Sequence, residues 1–250
     1  WEAFNHGGAR LEHWGDIAFA QRQLHKAQQL FSELGDLYHL TYLFTFLGVL
    51  TMLQDKATEA HRWYERALTS AQQLKERSLE ALALDKLGDL ARLAGDDRSA
   101  AESYAASLRI YRDLDNRLDI ARLLHNLAYL ALHAGDPALA RSRFTESLRS
   151  YRAAGQLRGQ AEALAGLAAV NAQECVPSAT LLDARWWGAV ATFYAAEGTP
   201  IWPANRMEIS RYQALARTTI GHPAFEAAYA EGAHLDFAPI IAQIITQIIA

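Results

Sequence analysis

Three long stretches of this sequence repeat one another at an interval of forty residues. The stretch "LGDLARLAGDDRSAAESYAASLRIYRDL" begins at Leu87, and related stretches begin at Leu47 and Leu127. Self-similarity at a fixed period of this length is typical of a solenoid built from one supersecondary unit. The equivalent positions of successive copies are Leu47, Leu87, Leu127 and Leu167; Gly48, Gly88, Ala128 and Ala168; Ala60, Ala100 and Ala140; Tyr64, Tyr104 and Phe144; and Ala67, Ser107 and Ser147.

Each copy has the pattern of two helices joined by a tight turn. Its alanine, aromatic and small residues recur at steps of three and four, which places them on one helical face. The copy that contains Gly135-Asp136-Pro137 has a glycine past one helix, an aspartate N-cap and a proline at the first position of the next helix. The predicted helix pairs are 77–94 with 98–114 and 118–134 with 138–154.

The composition indicates a folded, soluble protein. Hydrophobic residues make up 51% of the 250 residues, charged residues 21%, and the net charge is −4, which argues against disorder and against a phosphate-binding surface. One cysteine permits no internal disulfide, and no apolar stretch reaches the roughly 18 residues of a membrane helix. We therefore expect a cytoplasmic protein that contacts no membrane and does not bind nucleic acid directly through this segment. The start at Trp1, with no signal peptide, predicts a piece of a longer protein.

The Leu-Gly/Ala pair, the Gly-Asp turn and the alanine, aromatic and small residues that follow it resemble the tetratricopeptide repeat. The resemblance covers about residues 8–175, although the unit here has forty residues instead of roughly 34 and lacks the proline expected at the end of the second helix. It implies an all-α fold, a right-handed α-α superhelix of antiparallel helix pairs with a helical C-terminal cap. The predicted domains are a repeat region, 1–176, with units at about 8–36, 37–76, 77–116 and 117–156 and the start of an atypical unit at 157–176, and a capping region, 177–250.

The C-terminal part carries a second resemblance. Its residues are Ala184-Arg185, Trp187-Gly188-Ala189, Glu197-Gly198, Pro203, Arg206, Tyr212, Ile220-Gly221, Phe225, Ala228 and Glu231-Gly232. This series resembles the C-terminal end of large bacterial ATPase-type transcriptional regulators, in which a DNA-binding domain and a signal-transduction NTPase precede a tetratricopeptide-like array. The chain departs from that family at Trp202, Ala204 and Asn205. The resemblance implies that the NTPase domain of a parent protein is a partner of this segment.

The aromatic residues of the same region suit a cap on the last repeat. A solenoid ends in an exposed apolar face that an atypical unit must cover, and Trp186, Trp187, Phe193, Tyr194 and Trp202 can supply that cover. The terminal "PIIAQIITQIIA" has isoleucine pairs every four residues, as on one stripe of a helix. We expect this helix either to dock on its own array or to form a partner or self-association surface.

The sequence contains no recognisable catalytic motif. It has no glycine-rich phosphate loop, no cysteine pair and no H-E-x-x-H segment, so we predict neither an enzyme, nor a cofactor, nor a metal site. His125 and His133 stand eight residues apart on one predicted helix, too far apart for joint ligation. Asp85 and Asp89 lie one turn apart and resemble a carboxylate pair, but Arg92 one turn further favours a surface ion-pair network.

The remaining candidate is a groove along the first helices of the units. In arrays of this kind the first helix lines the concave side, and residues one step from the packing positions point into it. A mixture of polar and aromatic side chains there suits a peptide or a small effector, although a solenoid exposes such a wall whether or not it is used. The candidate groove residues are Tyr42, Thr45, Asp85, Asp89, Arg92, Arg122, His125, Tyr129, His133 and Glu162.

These observations leave three functions open. The first is a non-catalytic protein-interaction or effector-sensing region of a multidomain bacterial transcriptional regulator, whose partner is a protein, a peptide or a small effector. The second is a free-standing tetratricopeptide scaffold or adaptor. The third is a small-molecule domain that binds an inducer in the array or under the tryptophan-rich cap. The presence of an NTPase domain upstream in the same reading frame would separate the first from the second.

Overall fold

The computed structural model describes residues 17–198, 200–235 and 239, and every regular element among them is an α-helix, which confirms the all-α fold class. The predicted helix over 237–249 and the part of the first repeat before residue 17 lie outside the described residues. The helices are α1 (Ile17–Glu33), α2 (Leu37–Leu53), α3 (Ala57–Leu74), α4 (Arg77–Leu93), α5 (Asp97–Asp113), α6 (Arg117–His133), α7 (Pro137–Ala153), α8 (Leu157–Glu174), α9 (Pro177–Glu197), α10 (Pro203–Ile220) and α11 (His222–Ala233).

The first nine of these helices begin every twenty residues, and short turns separate α1 through α9. In the turn after α4, Gly95 has a φ of +77°, its N–H bonds to the Arg92 carbonyl, and the Asp96 N–H bonds to the Ala91 carbonyl. The Asp96 carboxylate then accepts from the Ser99 N–H at 3.0 Å and caps α5. The predicted helix boundaries are therefore confirmed to within one residue.

The aligned residues of the second helices form the core of each pair. The alanine, aromatic and small residues at these positions are all fully buried. Glycines on the first helices leave room for the rings: a Cβ at Gly88 would lie 2.6 Å from the Tyr104 ring, and one at Gly48 would lie 2.2 Å from the Tyr64 ring. The predicted pairing of Gly88 with Tyr104 is thus confirmed. The small polar residue also has a role, since the Ser107 hydroxyl donates to the Ala81 carbonyl at 2.7 Å.

The chain divides into two compact units. Unit 1 contains the described residues up to 115 together with 198 and 200–203, and unit 2 contains 116–197 and the described residues from 204 onward. This division does not coincide with the predicted one between a repeat region and a cap at 176/177. The predicted boundary is one of sequence pattern, and as such it stays a prediction.

Within unit 2, α9 and α11 pack at unusually short range. A Cβ at Gly188 would stand 2.1 Å from the Tyr229 carbonyl oxygen, and one at Gly232 would stand 2.0 Å from the Arg185 carbonyl oxygen. Arg185 and Glu231 form an ion pair of 2.7 Å beside this crossing. Residues that carry the second sequence resemblance therefore meet in one helix contact, because only glycine permits two backbones to come so close.

Candidate functional site

The structure places none of the ten predicted groove residues fully in solvent. Six side chains are buried and the other four are half-buried. The buried ones are Thr45, Asp85, Asp89, Arg92, His125 and Tyr129, and the half-buried ones are Tyr42, Arg122, His133 and Glu162.

The expectation of a surface ion-pair network at Asp85, Asp89 and Arg92 is wrong, because all three are at most 1% exposed. The physical reason is that the second-helix aromatic residues reach the same face of α4. Charges in such a position need partners inside the fold, since a buried unpaired charge is strongly destabilising. The partners of these three side chains form the polar centre of unit 1.

The polar centre of unit 1 is the Lys86 cluster, which we define as Asp85, Lys86 and Asp89. The Lys86 ammonium lies 3.0 Å from a carboxylate oxygen of Asp85 and 2.9 Å from one of Asp89. The lysine side chain is 14% exposed, whereas the two carboxylates are at most 2% exposed. Lys86 thus contacts two buried carboxylates and keeps a small exposed edge. Lys86 was not among the predicted groove residues, although it lies between the two aspartates in the sequence.

Two tyrosines from second helices extend this cluster inward. The Tyr104 hydroxyl donates to the other oxygen of Asp89 at 2.8 Å and accepts from the Arg92 guanidinium at 3.3 Å. Burial raises the pKa of Tyr104 well above its ordinary value, and the Asp89 charge adds to that effect. Burial and the charges of Asp89 and Asp85 likewise raise the pKa of Tyr64. Both phenols therefore stay protonated at neutral pH and can act as hydrogen-bond donors.

The open edge of the Lys86 cluster is covered by Trp202, from the loop between α9 and α10. The Lys86 ammonium lies 4.9 Å from the centre of a Trp202 ring, a cation–π distance. The indole also packs against an apolar group that contains Met52, Tyr64 and Leu90. More than a hundred residues separate Trp202 from Lys86 in the sequence, so no local pattern could have predicted the contact.

In unit 2, the positions of α6 equivalent to Asp85 and Asp89 carry the aromatic residues His125 and Tyr129. His125 makes edge-on contacts with Tyr129 and with Phe144, with ring centroids 5.2 Å apart in both cases. Tyr129 also stacks with Tyr212 of α10 at 6.5 Å. This stretch of α6 therefore has the character of an aromatic core layer, and α10 covers it.

The C-terminal end of α6 makes a polar contact with α10. The Nε2 atom of His133 lies 3.1 Å from a Glu208 carboxylate oxygen and 2.6 Å from an Arg211 guanidinium nitrogen. Glu208 is fully buried. At the other predicted positions of unit 2, Arg122 pairs with Asp119 at 2.5 Å, and Glu162 accepts from the Tyr194 hydroxyl at 3.0 Å.

A separate buried carboxyl lies between α8 and α9. One oxygen of Asp183 accepts from the Asn171 amide at 2.9 Å, and the Asn171 carbonyl in turn accepts from Arg141 at 2.7 Å. The second Asp183 oxygen is buried without a hydrogen-bond partner among the described residues. Burial raises the pKa of Asp183 to about 8, and the Asn171 hydrogen bond and the Arg141 charge oppose that rise only in part.

A groove of about 580 Å³ lies between α3, α4 and α5 of unit 1. Exposed polar side chains of α3 form one wall, and the start of α5 forms the other. Its lining residues are Ala57, Thr58, His61, Arg62, Glu65, Leu87, Leu90, Ala91, Ala94, Asp96, Ser99 and Ser103. We refer to it as the outer groove.

The buried charged side chains of unit 1 have their partners within the fold. Lys86 contacts both buried carboxylates, and the Tyr104 hydroxyl donates to Asp89 and accepts from Arg92. Over the part of the chain that the structure describes, no three histidine, cysteine or acidic side chains group as metal ligands do. No helix in that part combines the length and the apolar character needed to cross a membrane.

Comparison with known proteins gives the same fold class. Residues 39–113 match the family model of a tetratricopeptide repeat. The chain is similar to the crystal structure of BtubC (BKLC) from P. vanneervenii, with 17% sequence identity and a TM-score of 0.58 over 93% of this chain and 89% of that one. No curated protein matches the chain. The repeat match and the helical structure together confirm a tetratricopeptide-like fold, and an identity this low supports the fold alone.

Proposed function

We propose that this chain is a non-catalytic protein-interaction module that recognises an extended peptide segment of a partner through the first helices of its repeats. Repeats of the matched class generally bind proteins or peptides. The observation that carries the proposal is the Lys86 cluster: a lysine held between two buried carboxylates, bordered by apolar residues and covered by Trp202. Such a mixture suits a peptide that brings both a side chain and backbone polar groups.

The wider context that we propose is a multidomain bacterial transcriptional regulator in the cytoplasm. In that setting the NTPase domain of the parent protein is the natural recipient of a signal that the repeats receive. The support is the C-terminal series that includes Gly188 and Gly232, two residues that the fold uses in one close helix contact. A free-standing scaffold or adaptor is the alternative, and the complete reading frame decides between them: an upstream NTPase domain supports the regulator.

A peptide-display selection tests the interaction function directly. Random twelve-residue peptides would be selected on the whole chain, and the dissociation constants of the enriched sequences would be measured by fluorescence anisotropy. The test variants are Tyr42→Ser and Arg122→Ala, because both side chains are half-buried and lie on first helices. The matched control is His61→Ala with Arg62→Ala, since both residues are exposed on the second helix α3 and line the outer groove.

We expect selected peptides to lose at least tenfold in affinity on one of the two test variants and to keep their affinity for the control. Circular dichroism and thermal melting must show that each variant is still folded. Peptides that respond only to the control variant would move the function to the outer groove. Selection of small inducers instead of peptides, from a parallel metabolite screen, would favour the effector-binding alternative.

A further inference from the structure

We propose that residues 200–202 form a displaceable strap, with Trp202 as a built-in occupant of a binding site for a tryptophan side chain of a partner peptide. This inference rests on the proposed function and specifies the partner chemistry at the Lys86 cluster. The strap belongs to the same compact unit as the helices that it covers. The side chain of Trp202 therefore indicates which kind of partner side chain the site binds.

The site beside Lys86 matches the chemistry of an indole ring. Lys86 is held in place by Asp85 and Asp89, so its ammonium presents a fixed positive charge to one side. An aromatic ring over such a cation gains electrostatic energy from its π face, and the Trp202 ring lies there at 4.9 Å. Tryptophan is the best aromatic partner for a cation.

Apolar side chains pack against the Trp202 ring. Trp202 packs against the group formed by Met52, Ala60, Tyr64 and Leu90, with Leu87 and Leu93 beside it. An indole that leaves this place would uncover apolar side chains and a charged lysine together. Another large aromatic residue, followed by an extended chain, could restore the same contacts. The site thus favours replacement of the strap over its simple opening.

The contact between the strap and the site leaves two buried polar groups without hydrogen-bond partners among the described residues. The Trp202 indole N–H is buried without a hydrogen-bond acceptor among the described residues, and so is the Tyr64 hydroxyl, which lacks any partner there. A buried polar group without a partner destabilises the state that contains it. A partner peptide whose backbone or side chains satisfy these groups would gain an advantage over the strap. A partner peptide can therefore compete with the strap for this site.

The experiment supplies the strap sequence as a separate molecule. The peptide acetyl-Pro-Ile-Trp-Pro-Ala-amide corresponds to residues 200–204, and its binding to the whole chain would be measured by isothermal titration calorimetry. We expect the Trp202→Ala variant to bind it at least tenfold more tightly than the unmodified chain, because the unmodified chain must first release its own strap. The same peptide with alanine in place of tryptophan should not bind.

A second variant tests the role of the cation. Adding Lys86→Gln to Trp202→Ala keeps a hydrogen-bond donor between the two carboxylates but removes the charge beneath the ring. We expect at least a fivefold loss of peptide affinity relative to Trp202→Ala alone, with melting used to confirm that the fold persists. Equal affinity in the two variants would show that the site is only an apolar cavity, which overturns the assignment.

Displacement in the unmodified chain separates a strap from a fixed part of the core. The chain would be labelled with 5-fluorotryptophan, and the ¹⁹F resonance of Trp202 would be assigned by its absence in Trp202→Ala. Peptide at a hundred times its dissociation constant for the Trp202→Ala variant should move that resonance to a solvent-exposed position. A resonance that does not move would refute the strap.

The strap and the proposed function can fail independently. If the strap peptide binds Trp202→Ala as described but no displayed peptide binds the unmodified chain, the interaction function fails and the strap stands. If displayed peptides bind and lose affinity only on Arg122→Ala, the interaction function stands while the strap site is not the place of recognition. Both outcomes come from measurements that the two experiments already include.

Discussion

Asp183 gives this fold a stability that should fall as the pH rises. Its carboxyl is fully buried, one oxygen has no hydrogen-bond partner among the described residues, and burial raises its pKa from 3.8 to about 8. An acid with a higher pKa in the native state binds its proton more tightly there than in the unfolded chain. Its stabilising contribution is therefore complete below the unfolded pKa of 3.8 and is lost as the pH rises through 8.

The perturbation is Asp183→Asn, which keeps the shape of the neutral acid and its acceptor for the Asn171 amide but cannot ionise. At pH 6 the native Asp183 is protonated while the carboxyl of the unfolded chain is ionised, so Asp183→Asn should already have the higher free energy of unfolding. Between pH 6 and pH 9 the free energy of unfolding of the unsubstituted protein falls by roughly 3 kcal/mol. The fall takes place over about two pH units, from pH 6 to the native pKa of about 8. The stability advantage of the variant should therefore be about 3 kcal/mol larger at pH 9 than at pH 6.

The assay is urea unfolding followed by circular dichroism at pH 6, 7, 8 and 9. Arg141 and Glu174 are the charged groups that act on Asp183, and both remain in the variant, so the substitution removes only the ionisable carboxyl itself. Asp55→Asn is the matched control, since that side chain is exposed and meets water in both states. A difference between Asp183→Asn and the parent that varies by less than about 1 kcal/mol from pH 6 to pH 9 would refute the reasoning.

Two further predictions concern packing and turns. Gly188→Ala should destabilise the protein by about 3 kcal/mol or more, because its Cβ would stand 2.1 Å from a backbone oxygen that cannot move aside; a melting temperature like that of the parent would show that α9 and α11 do not cross there. Lys75 has a φ of +58°, so Lys75→Gly should stabilise the protein by about 0.5–1 kcal/mol. The reverse change in an equivalent turn, Gly95→Ala, should destabilise it by about 1 kcal/mol, and chemical denaturation measures both.

The sequence predicted the helices well because their signals are local. Gly95 and Asp96 combine a left-handed turn residue with an N-cap, and both roles were visible from residue type. The turns at Lys75 and Cys175 adopt the same left-handed conformation with φ values of +58° and +54°, yet neither residue type signals it. Their positions follow only from the forty-residue spacing, since Gly35 and Gly135 occupy equivalent turns.

The candidate site was less predictable because its character depends on contacts between distant residues. Asp85, Asp89 and Arg92 have the spacing of a solvated helix face, and nothing in α4 itself shows that tyrosine hydroxyls and apolar side chains enclose them. The position of Trp202 over Lys86 depends on a loop far along the chain. Periodicity therefore identified the face of each first helix, whereas its burial and its partners required the three-dimensional structure.

The twenty-residue interval between helix starts has a consequence for how chains of this type can change in length. First and second helices alternate and are not interchangeable: residues 123–132 of α6 are buried on every side, whereas α5 and α7 bury one face. An insertion or deletion of forty residues keeps both the helix starts and the alternation. A change of twenty keeps the starts but puts an amphipathic helix where an enclosed one is needed. Natural and engineered length variants should therefore differ by whole multiples of forty.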